Sequence, residues 1–245
     1  MGMLTDRQPN AFTLIELLAV IALIVLLMSL LLPVMSRVKD KANQVICMSN
    51  VRQVTASILL QSGDNNNAVT SPNWGPWAQA GWLTYDYRWT SPSQLTNGLL
   101  WPYLVNAAVF RCPADRQQAN YPYYDEDTRM LTSYNMNGSV CGFGGLGYKN
   151  GVDTNGWITY HVSEFRANDA VYWEGNEDAP GKGWWWDGGN FPWEGIARRH
   201  NNGGTLASFD GHVERMDADY YYSISPSTPS VRTRTWNRPY SSNGK

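Results

Sequence analysis

From Phe12 to Leu32 the chain is apolar at nearly every position, and only Thr13, Glu16 and Ser29 break the run. A stretch of about 20 apolar residues matches the hydrocarbon thickness of a bilayer rather than one face of a globular helix. A secretory signal peptide would have a shorter apolar region, a more positive leader and a small-x-small cleavage site. Here the leader MGMLTDRQPN carries one Arg and one Asp, and PVMSRVKDK offers no such site. The pattern therefore predicts a transmembrane helix over residues 12–35. Beyond it, Val34, Val38, Ala42, Val45, Met48, Val51, Val54 and Ile58 recur at steps of three and four, which lines them along one helical stripe. The helix is expected to continue as an amphipathic segment over residues 36–62, with Gly63 as its C′ residue and GDNNN (63–67) ending it. At 1.5 Å per residue, a single helix from Phe12 to Gln61 would be about 75 Å long.

After Gly63 the pattern changes. Residues 63–245 read as a globular domain of loops and short strands, with Pro and Gly recurring in SPNWGPW, SPSQLTNG and GGNFPWEG. Strand candidates are AVYWEG (170–175), TLASF (205–209) and HVERMD (212–217). The last two flank Asp210-Gly211, a two-residue hairpin signal of the type I′ kind. The predicted fold is α+β: a long N-terminal helix packed on an antiparallel sheet. All 12 Trp and 14 Tyr lie after Val69, which sharpens the boundary. Charged residues are 16% and the net charge is −2, so no basic field points to nucleic acid.

Glu16 is the anomaly in the apolar run, because a carboxylate at the bilayer centre costs about 2.5–3.5 kcal/mol on insertion scales. The segment AFTLIELLAVIALIVLLMSLLLP resembles the N-terminus of type IV pilin and type II secretion pseudopilin precursors. The resemblance rests on a short hydrophilic leader (residues 1–11), the small Ala11, Phe12, Glu16 four residues later, and Pro33 near the end of the run. It implies that a prepilin peptidase cuts between Ala11 and Phe12 and methylates the new amino group. The family usually has Gly before the cut, and Ala11 departs from that pattern. The resemblance also implies that Glu16 neutralises the positive N-terminus of a neighbouring subunit, where opposite charges in a low dielectric offset each other's desolvation. The local alternative is that Glu16 only caps its own helix or reaches the interface. For Pro33 the resemblance implies a region that melts in a filament; by itself it signals a kink. Arg37, Lys39 and Lys41 follow the span, and the positive-inside rule would keep that side in the cytoplasm. The resemblance implies the opposite orientation, with the C-terminal domain exported.

A second resemblance lies near the C-terminus. His200, nine further residues and Asp210-Gly211 match the H-X9-DG motif of a large group of pilin-like proteins, and CMSNVRQV (47–54) and FRCPADR (110–116) are similar to that group as well. The residues themselves suggest that Asp210-Gly211 makes a turn and that His200 packs or hydrogen-bonds nearby. A metal held by His200, Asp210 and His212 is the sharper reading, but the tight turn does not guarantee that they converge.

The three cysteines are Cys47, Cys112 and Cys141, and no CxxC occurs. In an oxidising compartment one bridge is expected, Cys112–Cys141, with Cys47–Cys112 as its competitor. GDNNN (63–67) and YDEDT (124–128) offer oxygen atoms to a structural Ca²⁺, though neither matches an EF-hand loop; no other cofactor and no metal is expected. Glu174, Glu177 and Glu194 have no fixed spatial relation that would make a glycosidase pair, and the chain does not read as an enzyme. GWWWDGGNFPWEG packs four Trp, either as core filler or as an exposed binding surface.

The resemblance implies a structural subunit of a type IV pilus-like or type II secretion pseudopilus filament. Its expected partners are a prepilin peptidase, other pilin or pseudopilin subunits, the assembly platform and the membrane, with no nucleic acid. It would be a single-pass inner-membrane protein whose globular domain is exported to the periplasm or cell surface. The alternative is a membrane-anchored binding module, for example for carbohydrate, that reuses a prepilin-type export signal.

Overall fold

The computed structural model describes residues 13–73, 81–84, 92–115, 131–144, 159–176 and 188–245. The chain divides into two compact units, residues 1–42 and 43–245. Helix α1, Leu14–Asp64, belongs to both and continues through Pro33.

In the first unit every large apolar side chain from Leu14 to Met35 is exposed. The helix is long and apolar enough to cross a membrane by length and composition. Its start is set locally. Thr13 N–H donates to Glu16 Oε2 at 2.9 Å, and Glu16 N–H donates to Thr13 Oγ1 at 3.3 Å. That reciprocal pair is a capping box, which satisfies backbone donors that the first helical turn cannot satisfy itself.

In the second unit the buried face of α1 begins at Cys47 and runs through Val51, Val54 and Ile58 to Gln61. Val45, on the same sequence stripe, stays exposed. The helix ends two residues later than expected, at Asp64. Gly63 remains helical, and Asn66 and Asn67 take the left-handed conformation instead, with Asn67 N–H closing on Ser62 O at 2.8 Å. Asn serves there because it tolerates positive φ better than other residues with a Cβ.

The sheet has five strands: β1 Tyr134–Asn137, β2 Ala170–Glu174, β3 Gly189–Asn190, β4 Gly203–Ser208 and β5 Val213–Asp217. Their order is β3-β1-β2-β4-β5. Pairing is antiparallel except at β1–β3, which is parallel. The expected antiparallel sheet is thus a mixed one, extended by a two-residue edge strand. The three strand candidates correspond to β2, β4 and β5, whereas β1 alternates over only four residues, β3 is two residues long, and neither was expected.

One face of the sheet packs on α1. Tyr134, Met136, Tyr172 and Ala207 join Cys47, Val51, Val54 and Ile58 in a single apolar cluster. The other face buries Trp173, Leu206 and Met216 against Ala218 and Tyr221. The last two belong to a short helix, which is α3 below. Helix α2 is Trp101–Leu104, and α3 is Ala218–Ile224, N-capped by Asp217. Each fully buried large side chain contributes about 1.5–3 kcal/mol of transfer free energy. Aromatic rings dominate. Trp82 meets Tyr172 edge-on at 5.0 Å, and the indole N–H groups of Trp82, Trp173 and Trp236 donate to Gly188 O, Gly195 O and Pro226 O. A buried indole needs such a partner. Trp184, Trp185 and Trp186 lie outside the described residues.

The β4–β5 hairpin differs from the two-residue turn expected at Asp210-Gly211. Ala207 pairs with Val213, Ser208 N–H donates to His212 O, and Gly211 N–H donates to Ser208 O at 2.9 Å. Phe209, Asp210 and Gly211 therefore form a three-residue loop, and of these Gly211 alone has positive φ, 82°. That is a turn closed by a left-handed glycine. Phe209 is held in the loop because its ring stacks on Phe165 at 4.1 Å and its N–H donates to Asp169 O. The turn with positive φ at both central residues sits earlier, at Asn201 and Asn202, where His200 N–H donates to Gly203 O.

Candidate functional site

Two regions carry the candidate chemistry. The first is the N-terminal segment. Ala11 and Phe12 lie outside the described residues, so the cleavage junction has no structural description. Glu16 is exposed in the first turn of α1, and its carboxylate also accepts the Thr13 hydroxyl at 2.8 Å. Glu16 therefore caps its own helix in the single chain. Pro33 is exposed within α1.

The second region is buried in the core of the globular unit. Cys47, Cys112, Glu174 and His200 bring one ligand-type atom each within 4.8 Å of one another. Four segments place them. Cys47 opens the buried face of α1. Cys112 follows the 3-10 turn Ala107–Phe110, with its N–H bonded to Ser133 Oγ at 2.9 Å. Glu174 ends β2 on the face toward α1. His200 enters through the turn at Asn201 and Asn202, and Arg215 Nε holds its carbonyl at 2.6 Å.

Around this point the contacts are dense. His200 Nε2 lies 3.4 Å from Cys112 Sγ and 3.3 Å from Glu174 Oε1. The second carboxylate oxygen of Glu174 accepts Thr205 N–H at 2.7 Å. Arg199 Nη1 reaches Glu174 Oε1 at 3.1 Å, and its Nη2 lies 3.7 Å from Asp115. Cys47 Sγ is 3.3 Å from Thr205 Oγ1 and accepts the Tyr134 hydroxyl at 3.4 Å.

The electrostatics follow from burial set against these partners. Burial alone would raise the Glu174 carboxyl, but His200 and Arg199 outweigh it and hold the group down at about 2. Burial opposes protonation of His200, yet its contacts with Cys112 and Glu174 hold its pKa up at about 9. The Cys47 contact, helped by His200, holds the Cys112 thiol down, whereas burial pushes the Cys47 thiol up. Without a further ligand the cluster is an imidazolium–carboxylate–guanidinium group beside two sulfurs.

The residues singled out in the sequence are thus redistributed. Of His200, Asp210 and His212, only His200 enters the core; Asp210 and His212 are exposed on the β4–β5 turn, where Asp210 Oδ1 accepts His212 N–H. Cys112 does not meet Cys141. None of the three cysteines is in a disulfide, and Cys141 Sγ instead donates to Gly138 O at 3.3 Å. The reason is the chain path: Cys112 is drawn toward α1 and β2, while Cys141 is buried in the 3-10 segment Gly138–Gly144 that follows β1. In GDNNN, Asp64 accepts the Tyr103 hydroxyl at 2.7 Å, and Asn66 O faces His161 Nδ1 at 3.0 Å. YDEDT and Glu177 lie outside the described residues, and Glu194 is spent on capping Phe191 N–H. Sequence reasoning passed over Glu174 as a partner of His200. Cys47 and Cys112, the competing disulfide pair of the sequence, do lie together, and His200 joins them although no sequence signal links it to either.

Among known proteins, neither the curated sequences nor the solved structures provide a match to the chain. The family model described as the prokaryotic N-terminal methylation motif matches residues 7–32. That span covers the end of the leader, Ala11, Phe12, Glu16 and most of the apolar run, and it supports a type IV pilin-like protein exported through a prepilin-type signal.

Proposed function

We propose that the protein is a structural, non-enzymatic subunit of a type IV pilus-like or type II secretion pseudopilus filament. The observation that carries this reading is the methylation motif at residues 7–32 running directly into a helix whose large apolar side chains are all exposed from Leu14 to Met35. Such a surface needs a non-aqueous partner, and lipid first, then neighbouring α1 helices, would supply one. On this reading a prepilin peptidase releases Phe12 at the cytoplasmic face. The globular unit is exported while α1 stays in the inner membrane, and an assembly platform then moves subunits from the membrane into a filament. Glu16 would leave its own cap to meet the amino group of Phe12 in the adjacent subunit.

The test is expression of the full chain with a prepilin peptidase and an assembly system, followed by shearing and mass spectrometry of the pelleted material. The expected result is a chain beginning with N-methylated Phe12 in the sheared fraction. Retention of Met1 beside a working peptidase would refute the processing step. A processed chain found only as membrane-bound monomer would refute the filament role and favour the anchored binding module.

A further inference from the structure

We propose that Cys47, Cys112, Glu174 and His200 form a structural zinc site in the core of the globular unit. This goes beyond a filament role and does not depend on it.

The donor set comes first. Two thiolates, one imidazole nitrogen and one carboxylate oxygen are ligands that Zn²⁺ takes in tetrahedral sites, whereas Ca²⁺ and Mg²⁺ demand oxygen. The spacing agrees. With zinc–ligand bonds of about 2.0–2.3 Å, tetrahedral ligand atoms stand about 3.3–3.8 Å apart. His200 Nε2 stands 3.4 Å from Cys112 Sγ and 3.3 Å from Glu174 Oε1, and all four ligand atoms lie within 4.8 Å of one another, so small side-chain shifts close the set on an ion. A disulfide between Cys47 and Cys112 would use two of these four groups. It would leave Glu174 and His200 as a buried ion pair beside a neutral disulfide that neither of them contacts as a ligand.

The surroundings are those of a supported metal site. Thr205 N–H fixes one oxygen of Glu174, leaving Oε1 toward His200. Tyr134 O–H donates to Cys47 Sγ, and Ala114 N–H donates to Cys112 Sγ at 3.4 Å. Such outer contacts orient ligands and stabilise thiolates. Two thiolates, a carboxylate and a divalent ion leave one net negative charge, and the guanidinium of Arg199 stands beside it, shared with Asp115. All four ligands are buried and all belong to the protein, so no position is left for substrate, and the role is structural rather than catalytic. The ion would tie α1 to β2, to the segment after Phe110 and to the turn before β4. Its binding free energy would become folding free energy.

The experiment uses the full chain purified in detergent under reducing conditions and incubated with Zn²⁺ or Co²⁺. The expected result is about one tightly held zinc per chain by elemental analysis. The cobalt form should show intense visible bands of tetrahedral geometry and near-ultraviolet thiolate-to-cobalt charge transfer, a readout that needs no variant. Cys112→Ser and His200→Ala should lose the metal, and Cys141→Ser should keep it. Absence of bound metal, a weak octahedral cobalt spectrum, or zinc retained by both Cys112→Ser and His200→Ala would overturn the proposal. So would a Cys47–Cys112 disulfide found in freshly isolated protein by non-reducing peptide mapping.

Discussion

His200 Nε2 lies 3.3 Å from Glu174 Oε1, a contact between a turn and the end of β2 in which both side chains are buried. It joins the motif histidine to the sheet, and Arg199, the next residue back, grips the same oxygen at 3.1 Å. A buried carboxylate with this many partners is sensitive to removal.

Glu174→Ala should destabilise the globular unit by about 3–5 kcal/mol, because it strands the buried Arg199 without its closest anion. It also removes the acceptor of Thr205 N–H. Glu174→Gln keeps the shape and should cost less. Denaturant midpoints of the full chain, read by tryptophan fluorescence, check this; equal midpoints for wild type and Glu174→Ala would show that the cluster adds nothing to stability.

The metal-free chain should show a defined pH window. Glu174 is held at about 2, below its ordinary value of 4.5, so its stabilisation is full above about 4.5 and is lost as the pH falls through about 2. His200 is held at about 9, above its ordinary value of 6.5, so its stabilisation is full below about 6.5 and is lost as the pH rises through about 9. The contribution of this pair in chelator-treated protein should therefore be largest between about pH 4.5 and 6.5. Zinc, which needs deprotonated ligands, should move the optimum upward. Melting temperatures of wild type and His200→Ala across pH, with and without chelator, check both statements.

Gly211→Val should destabilise the hairpin by about 1–3 kcal/mol, since a β-branched residue resists φ near 82°. A Cβ at Gly211 would meet no atom within 4 Å, so the penalty comes from backbone conformation and not from a clash. Gly211→Asn should recover most of it, because Asn enters the left-handed region more easily. A valine variant with an unchanged melting temperature would mean that the loop rebuilds without positive φ.

Glu16→Gln separates the two roles of Glu16. Glutamine can still close the capping box with Thr13, so α1 should start at the same place and membrane insertion should be intact. It carries no charge, so the amino group of Phe12 in an incoming subunit would meet no counter-ion, at about 3–5 kcal/mol for an unpaired buried charge. Filament yield after shearing should fall nearly as far as in Glu16→Ala, with inserted monomer unchanged. Normal yield from the glutamine variant would leave Glu16 as a helix cap and nothing more.

Local periodicity and turn chemistry were enough to locate α1, β2, β4 and β5 in the sequence, because each is written in its own residues. Apolar positions repeat with the period of the element, and a Gly or Asn stands where the backbone must turn. The α+β class followed from the same signals. Where neighbours decide, the sequence was silent or misleading. β1 reads Tyr-Asn-Met-Asn, an alternation only four residues long with no turn signal to frame it, yet all four residues are buried, and Asn137 Nδ2 donates to Ala170 O and Thr235 O. The hairpin gained a third loop residue because Phe165 and Asp169 hold Phe209 from outside the hairpin. The cluster is the extreme case. The sequence offers Cys47 and Cys112 only as a competing disulfide, His200 only as part of a turn motif, and Glu174 only as a position within a strand candidate. No spacing between them encodes a site, because their proximity arises only when β2 lies beside β4 and the buried face of α1 closes over both. A helix start, a strand or a turn is settled over a few residues, where short-range hydrogen bonds and backbone sterics act. The meeting of two sulfurs, an imidazole and a carboxylate from four segments is settled by packing alone.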